Sequence, residues 1–223
     1  MSQAFVLPPG AALIVVDMQN YYLDPQSAFQ RYHEHRFPGS MSYIARRCSA
    51  TVIPNLRVLL DFFHRLRMAV VFLKLCGQHP GRSDLHRTFR TAHYAAMDAG
   101  FPDLYPLCGD PMANVISDIA IHPDDITLCK TTFSAFTGTT IDEILHHSGI
   151  STLVMCGLAT SQCVETTARD GSERGYRIIM VEDAQADYEE MTHGASLYSS
   201  QGVCGGTIVT TNDVIDCQEL PVD

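Results

Sequence analysis

The sequence predicts a three-layer α/β/α sandwich built on a central, mainly parallel six-stranded sheet of Rossmann-like topology. Three observations lead there. Short apolar runs rich in β-branched residues recur along the 223 residues. The runs are continuous rather than alternating, as strands covered on both faces are. Stretches with helical spacing lie between them, so right-handed βαβ crossovers are the expected connections.

The elements follow in order. Residues 11–16 (AALIVV) form the first strand, placed just after Gly10. A helix is expected over 51–67, with Val52, Leu56, Leu59, Leu60 and Phe63 on one face. Strands follow at 68–73, with the run continuing to Leu75, and more weakly at 126–129. Between them, residues 76–125 hold five prolines among several glycines, a loop-rich insertion too long to be plain linker. It leaves the carboxyl end of a strand, so it is expected to help wall a pocket. The alternation then resumes: helix 140–147, strand 151–156, helix 161–174, strand 177–181, helix 191–201 and strand 207–210. No repeat or low-complexity tract interrupts it, and the whole chain, 1–223, reads as one domain.

Composition narrows the function. With 46% apolar and 18% charged residues the chain can bury a full core. Fifteen basic against twenty-five acidic residues leave a net charge of −10, which repels phosphate backbones and anionic headgroups. Neither nucleic acid nor membrane is an expected partner. The charge-free span 144–164 is broken by His146, His147, Gly149, Gly157, Ser161 and Gln162, as a strand and turn would be. The eight cysteines show no Cys-x-x-Cys pair, and the start Met-Ser-Gln-Ala carries no basic residue, so a cytoplasmic protein with reduced thiols is expected. Gly202, Gly205 and Gly206 precede a strand instead of opening a helix, and neither a phosphate loop nor a Gly-x-Ser-x-Gly elbow occurs.

Three polar residues stand where strands end. Asp17 closes the first strand, Lys130 follows 126–129, and Cys163 lies six residues past Gly157 at a helix start. A parallel sheet opens all three ends onto one edge. A thiol near a helix amino terminus and an ammonium is expected to have a lowered pKa, and a neighbouring carboxylate could shuttle its proton. Taken singly, such an Asp is a cap and such a Cys core filler.

The runs LIVVDMQN (13–20), KTTFSAFTGT (130–139) and GLATSQCVETTARDG (157–171) together resemble the isochorismatase-like cysteine hydrolase superfamily. Its members include nicotinamidases, N-carbamoylsarcosine amidase, biuret hydrolase, ureidoacrylate amidohydrolase and isochorismatase. The resemblance implies that Asp17, Lys130 and Cys163 form an Asp-Lys-Cys triad. It implies a cis peptide at Leu158–Ala159 and an oxyanion hole from the Ala159 and Cys163 N–H groups. The implied reaction is hydrolysis of a carbon–nitrogen bond through a thioester.

Departures from the family refine the expectation. Where nicotinamidases carry an Asp-x-His metal pattern, this chain reads Lys74-Leu75-Cys76-Gly77-Gln78-His79-Pro80, with Asp84 and His86 beyond. Neither metal nor other cofactor is expected, and nicotinamide is disfavoured. Ether-cleaving relatives lack the nucleophilic Cys, which is present here, so a small amide or carbamoyl compound is the expected substrate. Vinyl ether hydrolysis and a catalytically silent, metabolite-binding member are the alternatives. For substrate contacts the sequence offers Arg82, with Arg87 and Arg90, toward a carboxylate, Tyr22, Phe133 and Phe136 as apolar walls, and Gln201 toward an amide. Each has a plainer reading as loop, core or helix cap. Apolar helices flanking such a sheet suggest a homo-oligomer, a dimer or tetramer.

Overall fold

The computed structural model describes residues 5–217. Six strands, β1 (Ala11–Val16), β2 (Ala69–Leu75), β3 (Ile126–Lys130), β4 (Thr152–Leu158), β5 (Arg177–Ala186) and β6 (Thr207–Val209), form one sheet in the order β3-β2-β1-β4-β5-β6. Every pairing is parallel. β1 and β4 lie at the centre and are buried along their whole length, which explains why their sequences run apolar without alternation.

From β1 the chain winds outward in one direction to β2 and β3, then returns and winds the other way through β4, β5 and β6. Right-handed crossovers in opposite directions put their helices on opposite faces. Between β1 and β2 come α1 (Asn20–Leu23), α2 (Ala28–Arg36), α3 (Ser42–Arg47), a π-turn at Cys48–Val52, and α4 (Ile53–Arg65), which packs across β1, β2 and β5. Helix α5 (Arg87–Asp98) lies in the insertion and α6 (Ile141–His147) precedes β4. Helices α7 (Glu165–Glu173) and α8 (Glu190–Val203) link β4, β5 and β6, and α9 (Thr211–Ile215) closes against α4.

The short α1 to α3 were not legible as helices, and the expected loop-rich insertion also holds the twelve-residue α5, capped by His86, whose Nδ1 accepts from Thr88 N–H at 3.2 Å. The Met-Ser-Gln-Ala start lies outside the described residues. Among the described residues no helix is long and apolar enough to cross a membrane.

The sheet reverses its winding between β1 and β4, and the crevice beyond their carboxyl ends is where such sheets bind ligands. Two backbone devices shape it. Gly157, at φ +102°, sits in register with Val16, and a Cβ on it would lie 2.1 Å from the Val16 carbonyl oxygen. Only glycine permits that approach. On the other strand Asp17 itself takes φ +50°, with its N–H bonded to Leu73 O at 2.9 Å. A non-glycine residue held in the left-handed region is a costly conformation found at functional positions, and here it turns the carboxylate off the strand line.

Candidate active site

Asp17, Lys130 and Cys163 meet in the crevice. The Lys130 ammonium donates to Asp17 Oδ2 at 2.9 Å, to Cys163 Sγ at 3.2 Å and to the Thr132 carbonyl at 3.1 Å, so its three protons are placed. All three side chains are buried, and Asp17 Oδ1 has no hydrogen-bond partner. Burial alone would depress the Lys130 pKa, but the Asp17 charge and then the Cys163 sulfur reverse this and hold it above its ordinary value.

Cys163 behaves otherwise than the sequence suggests. Burial first, and the Asp17 charge second, push its pKa up, and Lys130 does not offset them. The lowered pKa expected from a helix start and a nearby cation is therefore not what the site favours: burial and the Asp17 charge outweigh Lys130, and the Cys163 pKa lies above its ordinary value. The thiol held down is Cys129, at about 6, chiefly by a hydrogen bond from Cys76.

Cys163 stands on a π-turn, Thr160–Val164, that joins β4 to α7. Three neighbours fix this turn. Asp187, fully buried, accepts the Ser161 N–H at 2.6 Å, which sets a carboxylate against the positive end of the turn. His193 Nδ1 lies 2.8 Å from Thr160 Oγ1, and its Nε2 lies 3.0 Å from Arg47, which also donates to the Glu182 and Gln185 carbonyls. Because Arg47 can only donate, Nε2 must accept and Nδ1 carries the proton.

All peptide bonds among the described residues are trans, Leu158–Ala159 included, so the expected cis bond is absent. β4 runs straight through Leu158 into Ala159 at φ −84°, ψ 148°, and the turn is taken up by the left-handed Gly157 instead.

The crevice closes into a cavity of about 10 Å³, room for about one water. Asp17, Ala159, Gln162 and Cys163 form its base; Tyr21, Tyr22 and Phe29 cover it from α1 and α2; Leu75, Phe89, Tyr105 and Tyr188 complete the walls. The Tyr22 hydroxyl donates to the Tyr188 hydroxyl at 2.6 Å and bridges the roof. A larger groove of about 700 Å³, beside His64, Arg67 and Asp125, lies at the amino ends of the strands, the edge opposite Cys163.

The other substrate candidates are scattered. Tyr22 is in the wall. Phe133 stands behind it, its ring 4.3 Å from that of Phe89. Phe136 packs on Tyr176 and under Arg174, outside the lining. Gln201 is exposed on α8. Arg82 is buried with each of its three nitrogens bonded, to Tyr105 O, Pro80 O and Asp103 Oδ1 at 2.6 to 2.9 Å, so it holds the insertion together, and it does not line the cavity. Of the loop residues that follow the stretch where nicotinamidases carry their metal pattern, Asp84 accepts from the Gln78 and His79 N–H groups, and His86 caps α5.

Sequence reasoning missed Tyr21, Phe29, Phe89, Tyr105, Gln162 and Tyr188. It also missed Gln19, whose amide bonds both the N–H and the carbonyl of Leu75, and Ala113 O, and so staples the insertion to β2. Gln19 lies within the LIVVDMQN run, which was the available signal.

Comparison with known proteins gives a family model, the isochorismatase domain, matching residues 11–213. An uncharacterized isochorismatase family protein, YwoC, from Bacillus subtilis is 31% identical over 67% of this chain and 74% of its own. A ureidoacrylate amidohydrolase of Variovorax paradoxus is 30% identical over 78% of this chain and 68% of its own. The crystal structure of N-carbamoylsarcosine amidase from Thermoplasma acidophilum superposes with a TM-score of 0.67 at 27% identity, covering 91% of this chain and 96% of that one.

Proposed function

The chain belongs to the isochorismatase family of hydrolases, and on that premise we propose that it hydrolyses a carbon–nitrogen bond of a small amide or carbamoyl compound, with Cys163 as nucleophile. The observation that carries this reading is the Lys130 ammonium bridging Asp17 and Cys163 while Asp17 Oδ1 stays unpartnered. The likeness to a ureidoacrylate amidohydrolase and an N-carbamoylsarcosine amidase supports it.

The chemistry follows from the resting charges. A buried thiol with a raised pKa is a poor nucleophile until a base takes its proton. Asp17 Oδ1 takes it as sulfur attacks the carbonyl carbon, and Lys130 holds both the carboxyl oxygen and the sulfur through the transfer. For the oxyanion the proposal takes the Ala159 and Cys163 N–H groups that the resemblance implies, now with the Leu158–Ala159 bond trans, each such donor contributing roughly 3 kcal/mol. Asp17 then returns the proton to the leaving nitrogen, which departs as ammonia or an amine. A thioester remains, and Asp17 activates the water that releases the acid. Every step in this scheme is carried by side chains and backbone of the chain together with one water.

The lining favours a neutral substrate. Among the described residues no Arg lines the cavity, and the nearby Lys130 has its donors placed. Tyrosine hydroxyls and the Gln162 amide can pair with a carboxamide or ureide, and the rings suit its planar faces. Ammonia release from a panel of small amides and ureides, compared between wild type and Cys163→Ser, tests the proposal. Release by wild type and its loss in the variant are expected. Equal release by both, or turnover of a vinyl ether without any nitrogen release, would refute it.

We keep a homo-oligomer within the proposal because α8 leaves Met191 and Tyr198 about four-fifths exposed, with Val203 also exposed. Sedimentation as a monomer would remove that part.

A further inference from the structure

Cys76, Cys108 and Cys129, which the proposed reaction leaves unused, bring their sulfurs within 4.8 Å of one another. They lie across the β2–β3 pair from the cavity. Leu75 lines the cavity and its register partner Lys130 reaches Asp17 and Cys163. Side chains alternate along strands, so Lys74 and its partner Cys129 point to the opposite face. Cys76 follows β2 with its N–H on Lys130 O at 3.2 Å. Cys108 comes from the insertion, delivered by two backbone bonds of 2.9 Å, Cys108 N–H to Gly77 O and Gly77 N–H to Pro106 O.

This geometry suits a thiophilic ion. Thiolates bound at about 2.3 Å hold their sulfurs about 4 Å apart, so closing the set needs a shift under about 1 Å. We propose that Cys76, Cys108 and Cys129 form a site for one d10 metal ion, with Zn²⁺ completed by a water as its fourth ligand. All three sulfurs bind as thiolates, the protons still held by the free cluster pass to solvent, three sulfur–metal bonds form, and no electrons are exchanged. Three thiolates around a dication leave one net negative charge, and the Lys74 ammonium acts on both Cys108 and Cys129 to balance it. An open cleft of about 540 Å³ beside Gly77, Gln78, Cys108 and Asp110 gives the ion an entry path. The ion would clip the insertion, and with it Phe89 and Tyr105, onto the sheet.

The test uses the full chain, reduced, stripped with a chelator and titrated with Zn²⁺ against a chromogenic competitor, then with Co²⁺ as a spectroscopic probe. One ion per chain is expected, with a sulfur-to-cobalt charge-transfer band. Affinity should fall at least tenfold in Cys108→Ser and in Cys129→Ser and stay unchanged in Cys204→Ser and Cys163→Ser. The Cys163→Ser arm separates this site from the nucleophile. Cys108 lies on a half-buried loop, so its variant is expected to keep the wild-type circular dichroism and remains informative if Cys129→Ser does not fold. Failure of the folded wild type to take up metal would overturn the proposal. So would binding that survives Cys108→Ser, binding that requires Cys163, or a disulfide among the three that persists under the reductant.

Discussion

Asp17→Asn separates the base from the geometry it sits in. Asn is the substitution best suited to φ +50°, because it tolerates the left-handed region as Asp does. Its Oδ atom can still accept from the Lys130 ammonium, now 2.9 Å from Asp17 Oδ2. Removing one partner of a buried ion pair costs about 3 to 5 kcal/mol when the other is left uncompensated. Lys130 keeps the Thr132 carbonyl and the Cys163 sulfur, so the loss should fall at or below the lower end of that range. Two consequences then run in opposite directions. The Asp17 charge is the second cause holding the Cys163 thiol up, and Lys130 the first holding it down. Without Asp17, Cys163 should ionise at lower pH than in wild type. Turnover should nevertheless fall at least about a hundredfold, close to 2.7 kcal/mol of barrier, because no group remains to carry the proton to the leaving nitrogen. The assays are ammonia release and thiolate absorbance against pH, each variant being read against its own Cys163→Ser counterpart. Retained turnover, or a Cys163 pKa that rises, would refute the reasoning.

Four further outcomes are expected. Alkylation with limiting iodoacetamide near pH 7, followed by peptide mapping, should modify Cys129 ahead of Cys163, because Cys129 is held at about 6 while burial and Asp17 keep Cys163 protonated; preferential labelling of Cys163 in wild type would contradict this. Gly157→Ala places a Cβ 2.1 Å from the Val16 carbonyl at a positive φ, so overpacking and backbone strain together should cost roughly 2 to 5 kcal/mol in urea unfolding, and a midpoint like wild type would show the strand pair to be more forgiving. His193, held neutral at about 4 by burial and then by Arg47, binds its proton more readily unfolded, so stability should fall as pH drops from about 6.5 toward 4; a His193→Gln variant should show a flatter profile by denaturant titration, and an identical slope would exclude His193 as the cause. Arg82→Ala should lower thermal stability through the lost bonds to the insertion while leaving the preference between neutral and anionic substrates unchanged, and a selective loss of anionic substrates would return Arg82 to the binding site.

What the sequence could reveal depended on how local the signal was. The inner strands were readable because they are covered on both faces, so the apolar run itself marks the element, and β1 was placed at the residues observed; the edge strands β3 and β6 are partly exposed, and the run that marks β3 is correspondingly weaker. Asp17, Lys130 and Cys163 were readable because each ends or follows such a run. Their electrostatics were not, since the Cys163 pKa depends on its depth and on its distance from Asp17, and neither is encoded near position 163. The covering residues were hidden for the same reason. Tyr21, Phe29, Phe89, Tyr105 and Tyr188 come from five separate segments and look like ordinary core in each. Arg82 shows the converse error. A cation in a long loop reads as a ligand for anions, yet all three of its nitrogens bond carbonyls and a carboxylate of its own insertion, a use of Arg that only tertiary structure reveals. That use has a consequence for the cavity. By holding the Tyr105 carbonyl, Arg82 fixes one wall, while Gln19 fixes Leu75 and Asp187 fixes the Cys163 turn. The base and that wall are tied by hydrogen bonds from side chains to buried polar groups, whereas the Tyr22 and Phe29 rings of the cover and the Tyr188 ring beside them meet by ring contacts and one hydroxyl bridge, their backbone being held by Gln30 at the Tyr22 carbonyl and by Asp187 at the Tyr188 N–H. A cavity of about 10 Å³ cannot hold an amide, so a substrate must displace part of its surroundings, and rotating the Tyr22, Phe29 and Tyr188 rings, whose side chains share one hydroxyl bridge, breaks the fewest hydrogen bonds.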